Sequence, residues 1–153
     1  MPSARIRLIF IALLVLCCAE YEAAAKQMAV IVNKGNGIQE LTSADVIKIF
    51  NCGIQKWANG VPITIVIRDP ATPDMELLLS RIYKIPPEQM RSFIARHKDV
   101  IKMVDSSQAM LTAVQSIPGA VGLIDVFLIN QEVKVLKIDG KLPVEFGYIL
   151  RGN

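Results

Sequence analysis

Residues 61–79 read VPITIVIRDPATPDMELLL, and they combine the pattern of a strand with that of a helix. Its first part, Val61 to Ile67, is a short apolar run of the kind that forms a strand buried on both faces of a sheet. Its second part carries the start signals of a helix. Thr72 is a good N-cap, Pro73 suits the first helical position, and acidic side chains follow in the first turn. A buried strand that leads directly into a helix predicts a β–α unit.

The same alternation of strand-like and helix-like segments continues along the chain. Further strands are predicted at residues 28–32, 100–104, 120–124 and 133–138, and further helices from residue 42 or 43, over 88–98, and from 106 or 107. Strands that alternate with short helices are typical of βαβ units. The sequence therefore predicts one α/β domain with three layers, α/β/α, around a mostly parallel sheet. Residues 144–150 either add an edge strand or form a tail.

Composition favours a single packed domain. The chain has 153 residues, of which 52% are hydrophobic, and its formal net charge is +3. This apolar content is too high for a disordered chain. Lysines and arginines form no dense run interleaved with aromatic residues, so the charge does not indicate a nucleic-acid-binding protein.

The N-terminal residues have the organisation of a secretory signal peptide. Two arginines precede the uncharged apolar run Leu8–Leu16, and Ala23–Ala25 supplies an Ala-x-Ala cleavage site. This order of parts predicts a signal peptide over residues 1–25 and a mature domain over residues 26–153, in the periplasm or outside the cell. An uncleaved N-terminal anchor is the alternative, although the apolar run is shorter than the ~20 residues that cross a bilayer.

Residues that carry out catalysis or bind metals are scarce. His97 is the only histidine, and it lies in a charged stretch. Cys17 and Cys18 leave with the predicted signal peptide, so that Cys52 remains as a single buried thiol without a disulfide partner. No zinc site, serine-protease-type triad or glycine-rich nucleotide loop is predicted. We therefore expect no enzyme, and no metal or other cofactor.

One arrangement has the chemistry of a binding site. Arg68 ends the predicted strand, and Thr72 begins the helix whose first N–H groups are free to bind an anion. A guanidinium, a hydroxyl and these N–H groups could together hold a small anion. The alternative is structural: Thr72 only caps its helix, and Arg68 only pairs with Asp69 or Asp74. For Trp57, a lone tryptophan after a helix, packing is favoured over stacking on a ligand.

Several segments resemble a known family. Residues 41–57, LTSADVIKIFNCGIQKW, resemble a block of the periplasmic phosphate-binding proteins of ABC transporters. Residues 62–68 resemble the strand that leads into the phosphate loop of that family. Residues 107–124, with Pro118-Gly-Ala-Val-Gly122, resemble its following helix and strand, and residues 133–140 resemble the next strand. The resemblance implies a type II periplasmic binding protein fold, in which two α/β lobes close on the ligand.

The resemblance also implies a function and a set of ligand-binding residues. It implies an exported, non-catalytic domain that binds a small anion, with phosphate as first candidate and an ABC transporter permease as partner. Arg68 and Thr72 match the first and fifth positions of the Arg-x-x-x-Ser-Gly-Thr loop of the family. Pro73 replaces the glycine and removes one N–H donor. Asp74 replaces the last threonine and brings a carboxylate to the place of the anion.

Length is a second departure from the family. Full members have a first half before the block that begins here near Ala29, so this chain resembles short, stand-alone relatives, truncated with respect to the two-lobe members. That half supplies phosphate contacts in the family. The alternative function is therefore a degenerate scaffold that binds a protein partner in an envelope or signalling complex.

Overall fold

A five-stranded sheet lies at the centre of the structure, a computed structural model that describes residues 26–152. The predicted signal peptide lies outside the described residues. The strands are β1 (Met28–Asn33), β2 (Glu40–Leu41), β3 (Thr64–Arg68), β4 (Ile101–Val104), β5 (Ala120–Asp125), β6 (Val133–Val135) and β7 (Lys137–Ile138). The order in the main sheet is β4-β3-β5-β1-β6, and β2 and β7 form a separate parallel pair.

Strand directions bring several strand ends to one edge of the main sheet. Strand β3 pairs in parallel with β4 and β5, whereas β1 runs antiparallel to β5 and β6. The prediction of a mostly parallel sheet is therefore confirmed, with β1 as the exception. In register, Arg68 lies beside Val104, and Met28 lies beside Asp125. The carboxyl ends of β3, β4 and β5 thus share an edge with the start of β1. We call this edge, with the residues just beyond these strand ends, the strand-end face.

Within residues 26–152, four helices pack around the sheet, and a 3₁₀ turn over Val126–Leu128 follows β5. The four helices are α1 (Ser43–Phe50), α2 (a 3₁₀ turn over Pro73–Met75, an α-helical part over Glu76–Leu78 and a π-helical turn over Leu79–Tyr83), α3 (Pro87–Arg96) and α4 (Ser107–Ser116). Side-chain caps fix two of the starts: the Thr42 hydroxyl accepts from the Asp45 N–H, and the Ser106 hydroxyl accepts from the Ala109 N–H. These caps lie where the sequence predicted them.

The helices form a layer on each side of the sheet. Successive side chains of a strand point to opposite faces. In β1, Ala29 and Ile31 therefore pack with Met110 and Val114 of α4, whereas Val30 belongs to the larger core on the opposite face. That larger core also contains buried side chains of α1, α2 and α3. The predicted three-layer α/β/α architecture is confirmed.

The predicted single strand over residues 133–138 is wrong. The chain forms β6 beside β1, and then moves to the smaller sheet as β7. Leu136 lies between the two strands, is fully buried, and donates its N–H to the Val30 carbonyl. Apolar side chains recur through residues 133–138, VKVLKI, because both strands and the residue between them contribute to the core, so the pattern alone could not separate the two strands.

The C-terminal residues close on the start of β1. The Met28 N–H donates to the Leu150 carbonyl, and the Tyr148 and Leu150 side chains are buried. The segment is thus neither a free tail nor a regular edge strand. Within residues 26–152, the helices are all too short or too polar to span a membrane.

Candidate functional site

Arg68 lies at the end of a central strand, and its guanidinium joins the starts of two helices. The preceding residues Ile65 and Ile67 are buried in the core, which fixes the backbone that carries Arg68. Its Nη1 lies 2.9 Å from Oδ2 of Asp74, in the first turn of α2, and 3.2 Å from Oγ of Ser107, the first residue of α4. The side chain of Arg68 is 17% exposed, so it can be reached from solvent while most of it is held by protein.

Lys26 contacts the same carboxylate from the opposite side. Its Nζ lies 2.5 Å from Oδ1 of Asp74, so each oxygen of Asp74 accepts from a different cation. Lys26, Arg68, Asp74 and Ser107 form a group that we call the Asp74 cluster. Two cations and one carboxylate leave this cluster with an excess of positive charge. No local pattern indicated Lys26 as a site residue, because only the antiparallel placement of β1 brings it to this edge.

Thr72 has a different environment from Arg68 and Asp74. It occupies the N-cap position of α2, but its side chain makes no capping hydrogen bond. Its hydroxyl instead donates to the Asp69 carbonyl over 2.7 Å. Thr72 also lines a cavity of about 600 Å³ that extends towards Lys84 and Pro86. Of the three predicted ligand-binding residues, the structure therefore brings Arg68 and Asp74 together and directs the Thr72 hydroxyl to its own loop.

Of the two partners considered for Arg68, Asp74 is the one that it contacts. Asp69 accepts a hydrogen bond from the Ala71 N–H and lies 3.2 Å from Arg91, and these interactions lower the pKa of the Asp69 carboxyl group. The Nε of Arg68 is buried without a hydrogen-bond partner among the described residues. A buried, unpaired N–H is costly, so the Arg68 guanidinium is only partly satisfied by Asp74 and Ser107.

The other residues noted in the sequence, Trp57, Cys52 and His97, pack within the protein. Trp57 is 6% exposed and donates its Nε1–H to the Gly119 carbonyl, as expected for a packing residue. Cys52 is a buried free thiol whose pKa is raised by burial. The His97 ring packs on Phe93 with a centroid distance of 4.2 Å. In the part of the chain that the structure describes, no group of histidine, cysteine and acidic residues could hold a metal ion.

Several solved structures match this chain, and proteins named for phosphate binding or phosphate transport are among them. An ABC-type phosphate transport receptor from Vibrio cholerae matches with a TM-score of 0.70 and 20% identity, over 84% of this chain and 55% of that chain. PstS from Borrelia burgdorferi matches with a TM-score of 0.67 and 16% identity, over 85% and 56% of the two chains. A putative phosphate ABC transporter substrate-binding protein from Clostridium perfringens, solved with bound phosphate, matches with a TM-score of 0.65 and 20% identity, over 78% and 48%.

These comparisons are between structures. Neither a known family model nor a characterised protein sequence matches the chain. The chain spans about half the length of the solved structures that it matches. It therefore has the fold of the substrate-binding proteins of phosphate ABC transporters, over about half the length of such proteins.

Proposed function

We propose that this chain is an exported, non-catalytic binding domain that binds a small anion at the Asp74 cluster, with phosphate as the first candidate. One observation carries the proposal: Arg68 and Lys26, from separate elements, converge on a single anionic group at the strand-end face. The position now held by the Asp74 carboxylate is thus one at which negative charge is favoured.

The groups around Asp74 suit an oxyanion. A guanidinium offers several N–H donors in a fixed plane, which matches the geometry of a phosphate. Ser107 adds a hydroxyl at the start of α4, where free N–H groups and the helix dipole favour negative charge. An anion that binds here would share the two cations with Asp74. Because Asp74 is an internal competitor with the same charge sign, we expect weaker binding than at a site with a neutral side chain in its place.

The cellular context is part of the same proposal. Residues 1–25 would act as a signal peptide, placing residues 26–153 in the periplasm or outside the cell. There the domain would present its anion to an ABC transporter permease, as the names of the solved relatives suggest. The fold supports this role without deciding it, since one fold can carry many functions.

Titration calorimetry with phosphate, and then sulfate, tests the anion site directly. We expect the wild-type protein to bind phosphate and Arg68→Ala to lose that binding, because the main donor is removed. Asp74→Asn keeps the shape of the side chain and removes the competing charge, so phosphate should bind at least about tenfold more tightly. Asp99→Asn is the matched control, because it removes an exposed carboxylate outside the cluster.

A different result would reject the anion site. If neither the wild-type protein nor Asp74→Asn gives heat with millimolar phosphate or sulfate, the cluster is an internal ion pair. The second candidate would then stand: a scaffold that binds a protein partner in an envelope or signalling complex. Two observations favour that candidate. Asp74 already occupies Arg68, and Phe127, just after the end of β5, is 84% exposed.

A further inference from the structure

A small pocket lies at the edge of the sheet opposite the strand-end face. It has a volume of about 210 Å³ and is formed by the loop after β1 and the turn after Trp57, with the lining residues Asn36, Gly37, Ile38, Trp57, Ala58 and Asn59. The Asn36 N–H donates to the carbonyl of Asn33, the last residue of β1, and the Trp57 Nε1–H donates to the carbonyl of Gly119, directly before β5. Because β1 runs antiparallel to β5, the end of β1 and the start of β5 share this edge. We call this cavity the Asn36 pocket.

Asn36 is a buried polar residue whose side chain has one unpaired end. The residue is 6% exposed, and its Oδ1 accepts from the Ile38 N–H over 3.0 Å. That bond fixes the oxygen end of the amide, so the other end is the Nδ2 donor. Nδ2 is buried and has no hydrogen-bond partner among residues 26–152. Because an unpaired buried donor is costly, a group that accepts from Nδ2 would be bound favourably.

The other polar side chains of the lining are used in a similar way. The Asn59 Oδ1 accepts from the Val61 N–H over 3.1 Å, so this amide also has Nδ2 at its free end. The Trp57 ring N–H is already bonded to Gly119, so the indole contributes apolar surface together with Ile38. The lining thus combines amide donors with an apolar wall, and both of its amide oxygens already accept a hydrogen bond. A ligand with an acceptor at one end and an apolar body matches this lining.

The charge beside the pocket selects among acceptors. The Lys134 ammonium donates to the Asn36 carbonyl. The charged residues that flank the lining segments in the sequence are Lys34, Glu40 and Lys56. A Cβ at Gly140 would lie 3.8 Å from Oε1 of Glu40, which places this carboxylate beside the turn after β7. Positive charge is thus in excess around the lining, which favours a carboxylate over a neutral carbonyl as the acceptor.

We propose that the Asn36 pocket binds a small monocarboxylate with an apolar body. The carboxylate accepts from the Asn36 Nδ2, and the body packs against Trp57 and Ile38. Pockets for drug-sized ligands are larger, roughly 300–1,000 Å³, so a volume of about 210 Å³ restricts the ligand to a small molecule. The proposal does not depend on the Asp74 cluster, which lies at the other edge of the sheet and whose donors suit an inorganic oxyanion.

NMR titration of the isotope-labelled protein tests the proposal, with benzoate as the probe. We expect benzoate to shift the signals of the Asn36 side-chain amide, the Gly37 N–H and the Trp57 Nε1–H, with a Kd of about 1 mM or below. Benzylamine is the matched probe, because it keeps the ring and replaces the acceptor by a positively charged donor. It should bind at least about tenfold more weakly, because the buried Nδ2 would meet no acceptor.

Asn36→Asp tests the donor. The variant keeps the oxygen that accepts from Ile38 and replaces Nδ2 by a negatively charged oxygen. The affinity for benzoate should fall at least about tenfold, because the ligand meets a like charge in place of a donor. Asn130→Asp is the matched control: the Asn130 Oδ1 also accepts from a backbone N–H, that of Glu132, but the residue is exposed and outside the pocket lining. Asn130→Asp should bind benzoate as the wild type does.

Gly37→Leu tests the volume of the pocket without a change of charge. A Cβ at Gly37 would meet no atom within 4 Å, so a leucine fits at this lining position and takes space from the ligand. The affinity for benzoate should fall at least about tenfold. Gln39→Leu is the matched control, because Gln39 is exposed in the same loop and does not line the pocket. Circular dichroism verifies that each variant is folded, and this pair of variants keeps the test valid if Asn36→Asp does not fold.

Three outcomes would overturn the proposal. The first is the absence of shifts at Asn36, Gly37 and Trp57 with benzoate up to about 20 mM, which would leave water as the partner of Nδ2. The second is equal binding of benzylamine, or benzoate binding that Gly37→Leu leaves unchanged. The third is a set of shifts confined to the Asp74 cluster and abolished by Arg68→Ala, which would assign benzoate to the proposed anion site. Phosphate binding is measured at that cluster, so either site can fail while the other stands.

Discussion

At the scale of single residues, Asp74 determines what the site can do. Its carboxylate takes one hydrogen bond from Lys26 and one from Arg68, so it compensates one of the two positive charges of the cluster without a ligand. All three side chains are partly exposed, so water screens these pairs and the gain in stability from them is modest. We therefore expect Asp74 to contribute little to stability. Because it occupies the Arg68 guanidinium, its main effect should be to weaken anion binding.

Gly119 lies so close to the backbone of Pro62 that a side chain there would clash. A Cβ atom at Gly119 would lie 1.8 Å from the Pro62 carbonyl oxygen, whereas a Cβ at Gly37 would meet nothing within 4 Å. Gly119→Ala should therefore lower the free energy of unfolding by about 3 kcal/mol, since backbone must move to remove the clash. Gly37→Ala, the matched control, should change it by less than about 0.5 kcal/mol.

Urea unfolding followed by Trp57 fluorescence measures both variants. Trp57 is the only tryptophan, and it donates to the Gly119 carbonyl, so its emission also reports a local shift of the backbone. Equal stabilities of the two variants would contradict the close approach of Gly119 to Pro62.

Strands and helices could be predicted from the sequence where one local pattern, an apolar run or an N-cap residue, was clear. Buried strands such as β1, β3 and β5 are short apolar runs, and the helices after Thr42 and Ser106 have clear N-caps. Arg68 and Asp74 could be paired because they flank one strand-to-helix loop. The part of the site that depends on strand order was not predictable. Lys26 is distant in sequence from Asp74, and no local pattern indicates that β1 runs antiparallel to β5.

The contact between the start of α1 and Asp139, just after β7, should make the stability of the fold depend on pH. The Asp139 carboxylate accepts from the backbone N–H of Ser43 over 2.9 Å and also from the Ser43 hydroxyl. These bonds stabilise the charged form and lower the pKa of the Asp139 carboxyl group. Since this pKa is lower in the folded state than in the unfolded state, the contribution of Asp139 to stability is present at neutral pH. It is lost as the pH falls through the folded-state pKa.

NMR titration of the Asp139 carboxyl carbon measures this effect. In Ser43→Ala the hydroxyl is lost and the backbone N–H remains, so the Asp139 pKa should rise towards, but not reach, its ordinary value. The stabilising effect of Asp139 over Asp139→Asn should be greatest at neutral pH and disappear in acid. An unchanged Asp139 pKa in Ser43→Ala would show that the hydroxyl bond does not form in solution.

At the scale of the whole molecule, the two ends of the described chain hold each other in place. The Gly152 N–H donates to the Lys26 carbonyl, the Met28 N–H donates to the Leu150 carbonyl, and the Tyr148 hydroxyl accepts from the Val30 N–H. Burial raises the pKa of Tyr148 to about 12, so its hydroxyl stays neutral at physiological pH. The segment that carries Phe146 is thus anchored to β1 and also positions Lys26 in the Asp74 cluster.

Because the two ends of the described chain are hydrogen-bonded to each other, we expect the C-terminal segment to unfold together with the rest of the domain. Leu150 is fully buried against the core, whereas Leu142, earlier in the same segment, is 41% exposed. Leu150→Ala should lower the free energy of unfolding by about 3 kcal/mol, because it leaves a cavity in a packed core. Leu142→Ala, the same chemical change, should cost less than about 0.5 kcal/mol. Urea unfolding measures both values, and the slope with urea should be unchanged in a single transition. If Leu150→Ala were as stable as Leu142→Ala, the C-terminal segment would not be packed on β1, and the position of Lys26 beside Asp74 would lose one of its supports.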